Sequence, residues 1–226
     1  VCRESADFLL DVAAYKQEID EGDNPEPTVQ TMQVEVRQLE RKMQQQLFQL
    51  YRFYQNDIES GDWALKAFRQ DPFDSDLLVQ YGIRTGTGAA TGALICFGLA
   101  LATLGGSLGL GTAIGGILGG VLPNVQDISD KISGKQTLHI DPQTLTLLAA
   151  RALDLLNALQ KRGHAAQSQV ALQSGQTPWQ PHKLPSELNK ARSQWKWSSL
   201  NTHLPDLSHR ERAEAAHNLQ QKLKRE

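Results

Sequence analysis

An all-α fold, a helical bundle carrying an apolar glycine-rich hairpin and one long amphipathic helix, is predicted by three features of this 226-residue chain. Apolar residues recur at three- and four-residue steps over most of its length, almost nothing alternates as a strand does, and one uncharged glycine-rich segment lies near the middle. With 40% hydrophobic residues, the chain is long enough to bury a core.

The elements follow in order. Phe8, Leu9, Val12, Tyr15 and Ile19 predict a short amphipathic helix from Ser5 to Ile19, stopped near Gly22 and the breaker Asn24-Pro25-Glu26-Pro27. Met32, Val36, Leu39, Met43, Leu47, Leu50 and Tyr54 then predict a long helix over 28–54 with a coiled-coil-like stripe, its other faces filled by charged residues and glutamines. A bundle helix and an intermolecular coiled coil are both consistent with that stripe. The loop Asp71 to Asp76 ends in an N-cap before Leu77, Leu78 and Tyr81. A short extended piece is allowed at Gln136–Ile140. Asp141-Pro142 then starts a helix with Leu145, Leu148, Ala152, Leu155, Leu156 and Leu159 on one face, ending at Gly163. Residues 173–184 read as a linker, followed by a helix near Ser186 to Trp197 and a last helix whose start, Ser208 to Glu211, matches a capping box. The division is a helical domain over 1–172, the linker, and a helical extension over 185–226.

Between Arg84 and Asp127 there is no charged side chain, and 12 of the 18 glycines lie there. Gly86 to Gly92 is echoed by Gly109 to Gly115, with Gly105-Gly106-Ser107 between two apolar runs, which predicts a helical hairpin over 85–126. Glycine inside a helix costs roughly 1 kcal/mol relative to alanine, so close backbone packing is the expected compensation. Gly88 and Gly92 on one arm, and Gly111, Gly115 and Gly119 on the other, lie at four-residue steps and make smooth grooves. Helices over 86–104 and 107–122 would reach about 28 Å and about 24 Å against a hydrocarbon layer of about 30 Å, which fits a shallow hairpin better than two full spans. The flanking cations Arg84, Lys131 and Lys135 would keep both ends on the cytoplasmic side.

With 23 Lys+Arg against 25 Asp+Glu spread along the chain, no field favours a polyanion, and nucleic acid is not an expected partner. Cys2 and Cys96 form no metal or disulfide pattern, in keeping with a reducing cytosol. The first residues carry acids within their apolar pattern, unlike a signal peptide, and a chain starting at Val1 is expected to have its beginning upstream.

Several chemical motifs are excluded by context. Gly105-Gly106-Ser107-Leu108-Gly109 matches a nucleophile elbow but has no parallel sheet to house Ser107. The Gly-x-Gly pairs lack the spacing of a dinucleotide fingerprint. Ser133-Gly134-Lys135-Gln136 has neither the hydroxyl residue nor the first glycine of a phosphate loop. The six histidines form no ligand pair. His209 and His217, two turns apart, read as a solvated face, and Trp195 and Trp197 read as packing of the C-terminal part onto the bundle.

Three stretches carry a family resemblance. They are Tyr81-Gly82-Ile83-Arg84 leading into the glycine-rich segment, Leu147 to Leu153 through Arg162-Gly163-His164-Ala165-Ala166, and Ala191-Arg192-Ser193 with Trp197-Ser198-Ser199-Leu200-Asn201. In these the chain resembles the uncharacterised helical C-terminal domain that follows an Era-like GTPase domain in a bacterial family. The resemblance implies a GTP- and magnesium-binding domain upstream, in cis. No catalytic, cofactor-binding or metal-binding residue carries over, since Asn189-Lys190-Ala191-Arg192 lacks the guanine-reading Asp. The expected function is a non-enzymatic effector or docking module of a GTPase, cytoplasmic and held at the inner face of the plasma membrane where the hairpin meets lipid. A soluble structural or homo-oligomerising domain, with the hairpin as its buried core, is the alternative.

Overall fold

The structure, a computed structural model, describes residues 2–20, 23–51, 70–83, 99–102, 135–164, 177–201, 205–207 and 209–224. Within them the chain is mostly helical. The α-helices are α1 (Cys2–Ala14), α2 (Glu26–Leu50), α3 (Ser75–Gln80), α4 (Pro142–His164), α5 (Ser186–Arg192) and α6 (Arg210–Leu223). Single 3-10 turns lie at Pro181–Lys183 and Trp195–Trp197.

The all-α expectation needs one correction, a small antiparallel sheet of β1 (Lys16–Asp20), β2 (Leu99–Ala102) and β3 (Lys135–Ile140) in the order β1-β3-β2. The allowed extended piece at 136–140 is its central strand. The first helix stops at Ala14 instead of running to Ile19, because Asn201 takes over its end. Its Nδ2 donates to the Ala14 carbonyl at 2.6 Å and its Oδ1 accepts from the Lys16 amide at 2.8 Å. A continued helix would have spent that Lys16 N–H on Val12. Tyr15 and Ile19 are buried all the same, so their spacing signalled burial and not helix. A continuous helix over 86–104 is likewise not formed, since Leu99–Ala102 pairs with β3, Leu99 opposite Ile140 and Ala102 opposite Thr137. Leu-Ala-Leu-Ala alternation next to glycines of low helix propensity suits a strand. The rest of the predicted hairpin lies outside the described residues.

α2 buries Met32, Val36, Met43 and Leu47 as the stripe requires, and Val29 before it, but Leu50 is 55% exposed. Asp74, not Asp76, caps α3, accepting the Asp76 amide at 3.0 Å. Asp141 caps α4 as expected, holding the Thr144 amide at 2.8 Å and its hydroxyl at 3.1 Å. The cap of α6 is His209, whose Nδ1 accepts from the Glu211 amide at 3.2 Å. Ser208 of the predicted capping box lies outside the described residues.

The main core joins α1, α2, the inward face of the sheet at Leu138 and Ile140, the Leu145-to-Leu159 face of α4, and Leu188, Trp197 and Leu219 from the C-terminal part. Trp197 is buried, as the packing reading requires. A second cluster sits on another face of α4, where Leu147 meets Leu77, Leu78 and Ile83.

Candidate functional site

The polar heart of the structure lies where α2, α4 and residues 70–83 meet. Glu40 occupies the step between Val36 and Met43 in the apolar stripe of α2, and Arg151 sits between Leu148 and Leu155 on α4. Their side chains are 5% and 2% exposed, and Arg151 Nε lies 2.8 Å from Glu40 Oε1. A second guanidinium nitrogen of Arg151 donates to the Gln70 carbonyl at 3.1 Å. Burial pushes the Glu40 carboxyl above the usual carboxylate range, with Arg151 pulling the other way. One turn along α4, Asp154 accepts from the Tyr81 hydroxyl at 2.7 Å. Burial raises both of these groups, and the Asp154 carboxylate raises Tyr81 further. At the rim, Arg37 Nε and Nη2 make a two-pronged pair with Asp71 at 2.8 Å each, and the guanidinium lies 5.1 Å from the centre of the Phe73 ring.

This cluster fixes the chain as it runs toward the glycine-rich segment. Tyr81 is tied to Asp154. Gly82 has φ +63, the left-handed conformation that closes α3, with its amide on the Val79 carbonyl at 3.0 Å and the Ile83 amide on Leu78 at 2.9 Å. Ile83 is buried against Leu147. The Tyr81-Gly82-Ile83 signature is thus a helix stop with a polar tie on one side of the left-handed residue and an apolar one on the other.

The other attachments lie in the sheet. Ala102 of β2 faces Thr137 of β3, and Lys135 of β3 faces Asp20 of β1. The chain therefore leaves β2 and returns to β3 at one end of the sheet, the end where β1 leads toward α2. Residues 103–134 have both attachment points there.

Of the residues predicted to carry function, Gly88, Gly92, Gly105, Gly106, Gly111, Gly115, Gly119, Arg84 and Lys131 lie outside the described residues, as does Ser107. Lys135 opens β3. His209 and His217 are exposed on α6, as a solvated face requires. Asn189 to Arg192 is helical, in α5. Among the described residues there is no group of three His, Cys, Asp or Glu side chains that would hold a metal, and no helix long and apolar enough to cross a membrane.

The burial of Glu40, and its pairing with Arg151, is what sequence reasoning missed. The signal was a charge in step with an apolar stripe, four after Val36 and three before Met43, at a place assigned instead to Leu39. Leu39 is only half-buried.

A family model described as a domain of unknown function, DUF3482, matches residues 1–221. No curated protein and no solved structure matches the chain.

Proposed function

The chain belongs to the DUF3482 family of domains, and we propose that it is a non-catalytic docking module which presents its uncharged glycine-rich segment to a membrane or a partner on behalf of a GTPase domain upstream in cis. The observation that carries this reading is the shared attachment of residues 103–134 to adjacent strands, at Ala102 opposite Thr137 and at Lys135 opposite Asp20. Both attachment points lie on one packed sheet and shift together with it. Residues 103–126 carry no charge, so water is a poor environment for them and an apolar one is favoured. The Gly105-Gly106, Gly111, Gly115 and Gly119 spacing favours close backbone approach within that environment. GTP and magnesium belong to the upstream domain in this reading, and the coupling runs through α2, which is linked to β1 by residues 21–25 and clamped to α4 by Glu40.

Liposome flotation of this chain in high salt, with Gly115→Leu beside it, tests the proposal. Flotation of the wild type, altered by the substitution, is the expected result. A protein that stays in the aqueous fraction and is unfolded by Gly115→Leu would place the glycines in a core and overturn the docking reading. In the full-length protein, hydrogen exchange of residues 103–126 is expected to differ between the GTP and GDP states, and equal exchange would remove the coupling.

A further inference from the structure

We propose that Lys16, His139 and Arg192 form a receiving site for a small oxyanion, a phosphate or carboxylate group, on the face of the sheet opposite Leu138 and Ile140. Lys16 and His139 are direct partners across the β1–β3 ladder, so their side chains stand on one face. Arg192, from α5, reaches the same place, its Nη1 donating to the carbonyl of Ile140, the residue after His139, at 3.2 Å. Three basic side chains thus converge from three elements.

None of the three has an ion-pair partner among the described residues. The acid nearest by element, Asp141, is spent as the cap of α4 on the Thr144 amide and hydroxyl. Its attraction to Arg192 acts only from beyond ion-pair distance. Glu18 stands two residues along β1 on the same face, opposite Thr137, and the β2 partner of His139 is Ala100, which carries no charge. The groups facing His139 are therefore Lys16 and Arg192, with Asp141 and Glu18 at the margins. Burial first, then the charges of Arg192 and Lys16, press the imidazole pKa down to about 3.

Like charges crowded around a half-buried imidazole repel one another, and an anion is what relieves that repulsion. Bound between them, it would accept hydrogen bonds from the ammonium and from the free guanidinium N–H groups, and its charge would favour a protonated His139. The site is built from the side chains, since the α4 N-terminus is already capped. Arg192 and the Asn201 that fixes the Lys16 backbone both belong to the stretches that carried the family resemblance, and the docking reading leaves both unused.

The test is a proton-nitrogen NMR titration of His139 in the full chain with inorganic phosphate, against sodium chloride at matched ionic strength. Phosphate is expected to raise the His139 pKa by about one unit, and Lys16→Gln to weaken phosphate affinity about tenfold, while Lys16→Arg retains it. Arg192→Gln is a second variant, its melting temperature checked because Arg192 also holds the Ile140 carbonyl. Trifluoroacetate, a carboxylate that stays ionised over the acid range in which His139 titrates, in place of phosphate identifies which oxyanion is taken, and a shift with either supports the site. A His139 pKa moved equally by chloride and both oxyanions, or phosphate affinity unchanged in Lys16→Gln, overturns it.

Discussion

Two seams hold this protein together, and both bury charge, but they do so differently. Along α1, Asp11 accepts from the Ser198 hydroxyl, the Ser199 amide and the Ser199 hydroxyl, all at 2.8 Å. Arg212 donates to the Trp197 carbonyl at 3.1 Å, to the Asp7 carboxylate at 2.8 Å and to the Asp7 carbonyl at 3.2 Å. Each of these charges is spread over several hydrogen bonds, most of them to neutral groups. Along α2 and α4, by contrast, the Glu40 carboxyl meets the Arg151 guanidinium directly inside an apolar stripe, at 2.8 Å. The first seam joins residues near opposite ends of the chain. The second is a clamp that depends on both partners being present, because removing either one leaves the other buried without its counterpart.

The largest effect is expected where that dependence is broken. Arg151→Met leaves the Glu40 carboxylate buried and alone, and should cost about 3–5 kcal/mol of stability in chemical denaturation. Replacing both, as Glu40→Leu with Arg151→Met, should recover most of the loss, because two apolar side chains of similar volume suit the stripe. A double variant as unstable as the single one would show that Arg151 acts mainly through partners other than Glu40, the Gln70 carbonyl among them. In the α1 seam, Asp11→Ala should cost about 2–3 kcal/mol by leaving the Ser198 and Ser199 donors without their acceptor. No single apolar replacement there should restore it, since the donors are backbone and hydroxyl groups that cannot be removed together.

The two seams were also unequally legible in the sequence. The caps and stripes that α2 and α4 need are local, and Asp141-Pro142 with the leucines of α4 announced that helix correctly. What lay beyond reach was set by distant partners. Asn201 ends α1 from 187 residues away, turning Lys16–Asp20 into a strand that no local breaker required. Arg151 lies 111 residues from Glu40, and in isolation a glutamate among Arg37, Arg41 and Lys42 reads as surface charge. The family resemblance picked out Tyr81, Gly82, Ile83, Arg151, Arg192 and Asn201 without saying what they do. The structure gives several of them one kind of task, which is to end a helix or tie it to a neighbour.

A more modest effect is expected at the stop before the glycine-rich segment. Gly82→Ala meets no steric obstacle, since a Cβ there finds nothing within 4 Å, but it places a side chain on a residue with φ +63. The cost should be about 1–2 kcal/mol from backbone strain alone. Gly82→Asn should cost less, because asparagine tolerates that conformation. Equal melting temperatures for wild type and Gly82→Ala would mean that the Tyr81 and Ile83 contacts do not hold the turn.

The smallest effects have opposite signs with pH, which separates the inside of the clamp from its rim. Burial leads the shift of Asp154, whose folded-state pKa lies above the ordinary value, so the fold favours its protonated form. Stability should therefore fall as pH rises from the ordinary carboxylate range through that raised value, and Asp154→Asn should remove this share of the slope. At Asp71 burial also pushes upward, but the hydrogen bonds from Arg37 and the Phe73 amide outweigh it and the folded-state pKa is lowered. Its contribution is present above the ordinary carboxylate pKa and lost as pH falls through the lowered one. Because the Arg37 and Asp71 side chains are 25% and 46% exposed, water screens the pair, and Arg37→Ala should cost only about 0.5–1 kcal/mol at neutral pH and less in high salt. Urea midpoints measured across the acid range for Asp154→Asn, Asp71→Asn and the wild type read both slopes at once. If the Asp154 and Asp71 variants changed the slope in the same direction, the interior of the clamp would be as wet as its rim, and the distinction between the two would fail.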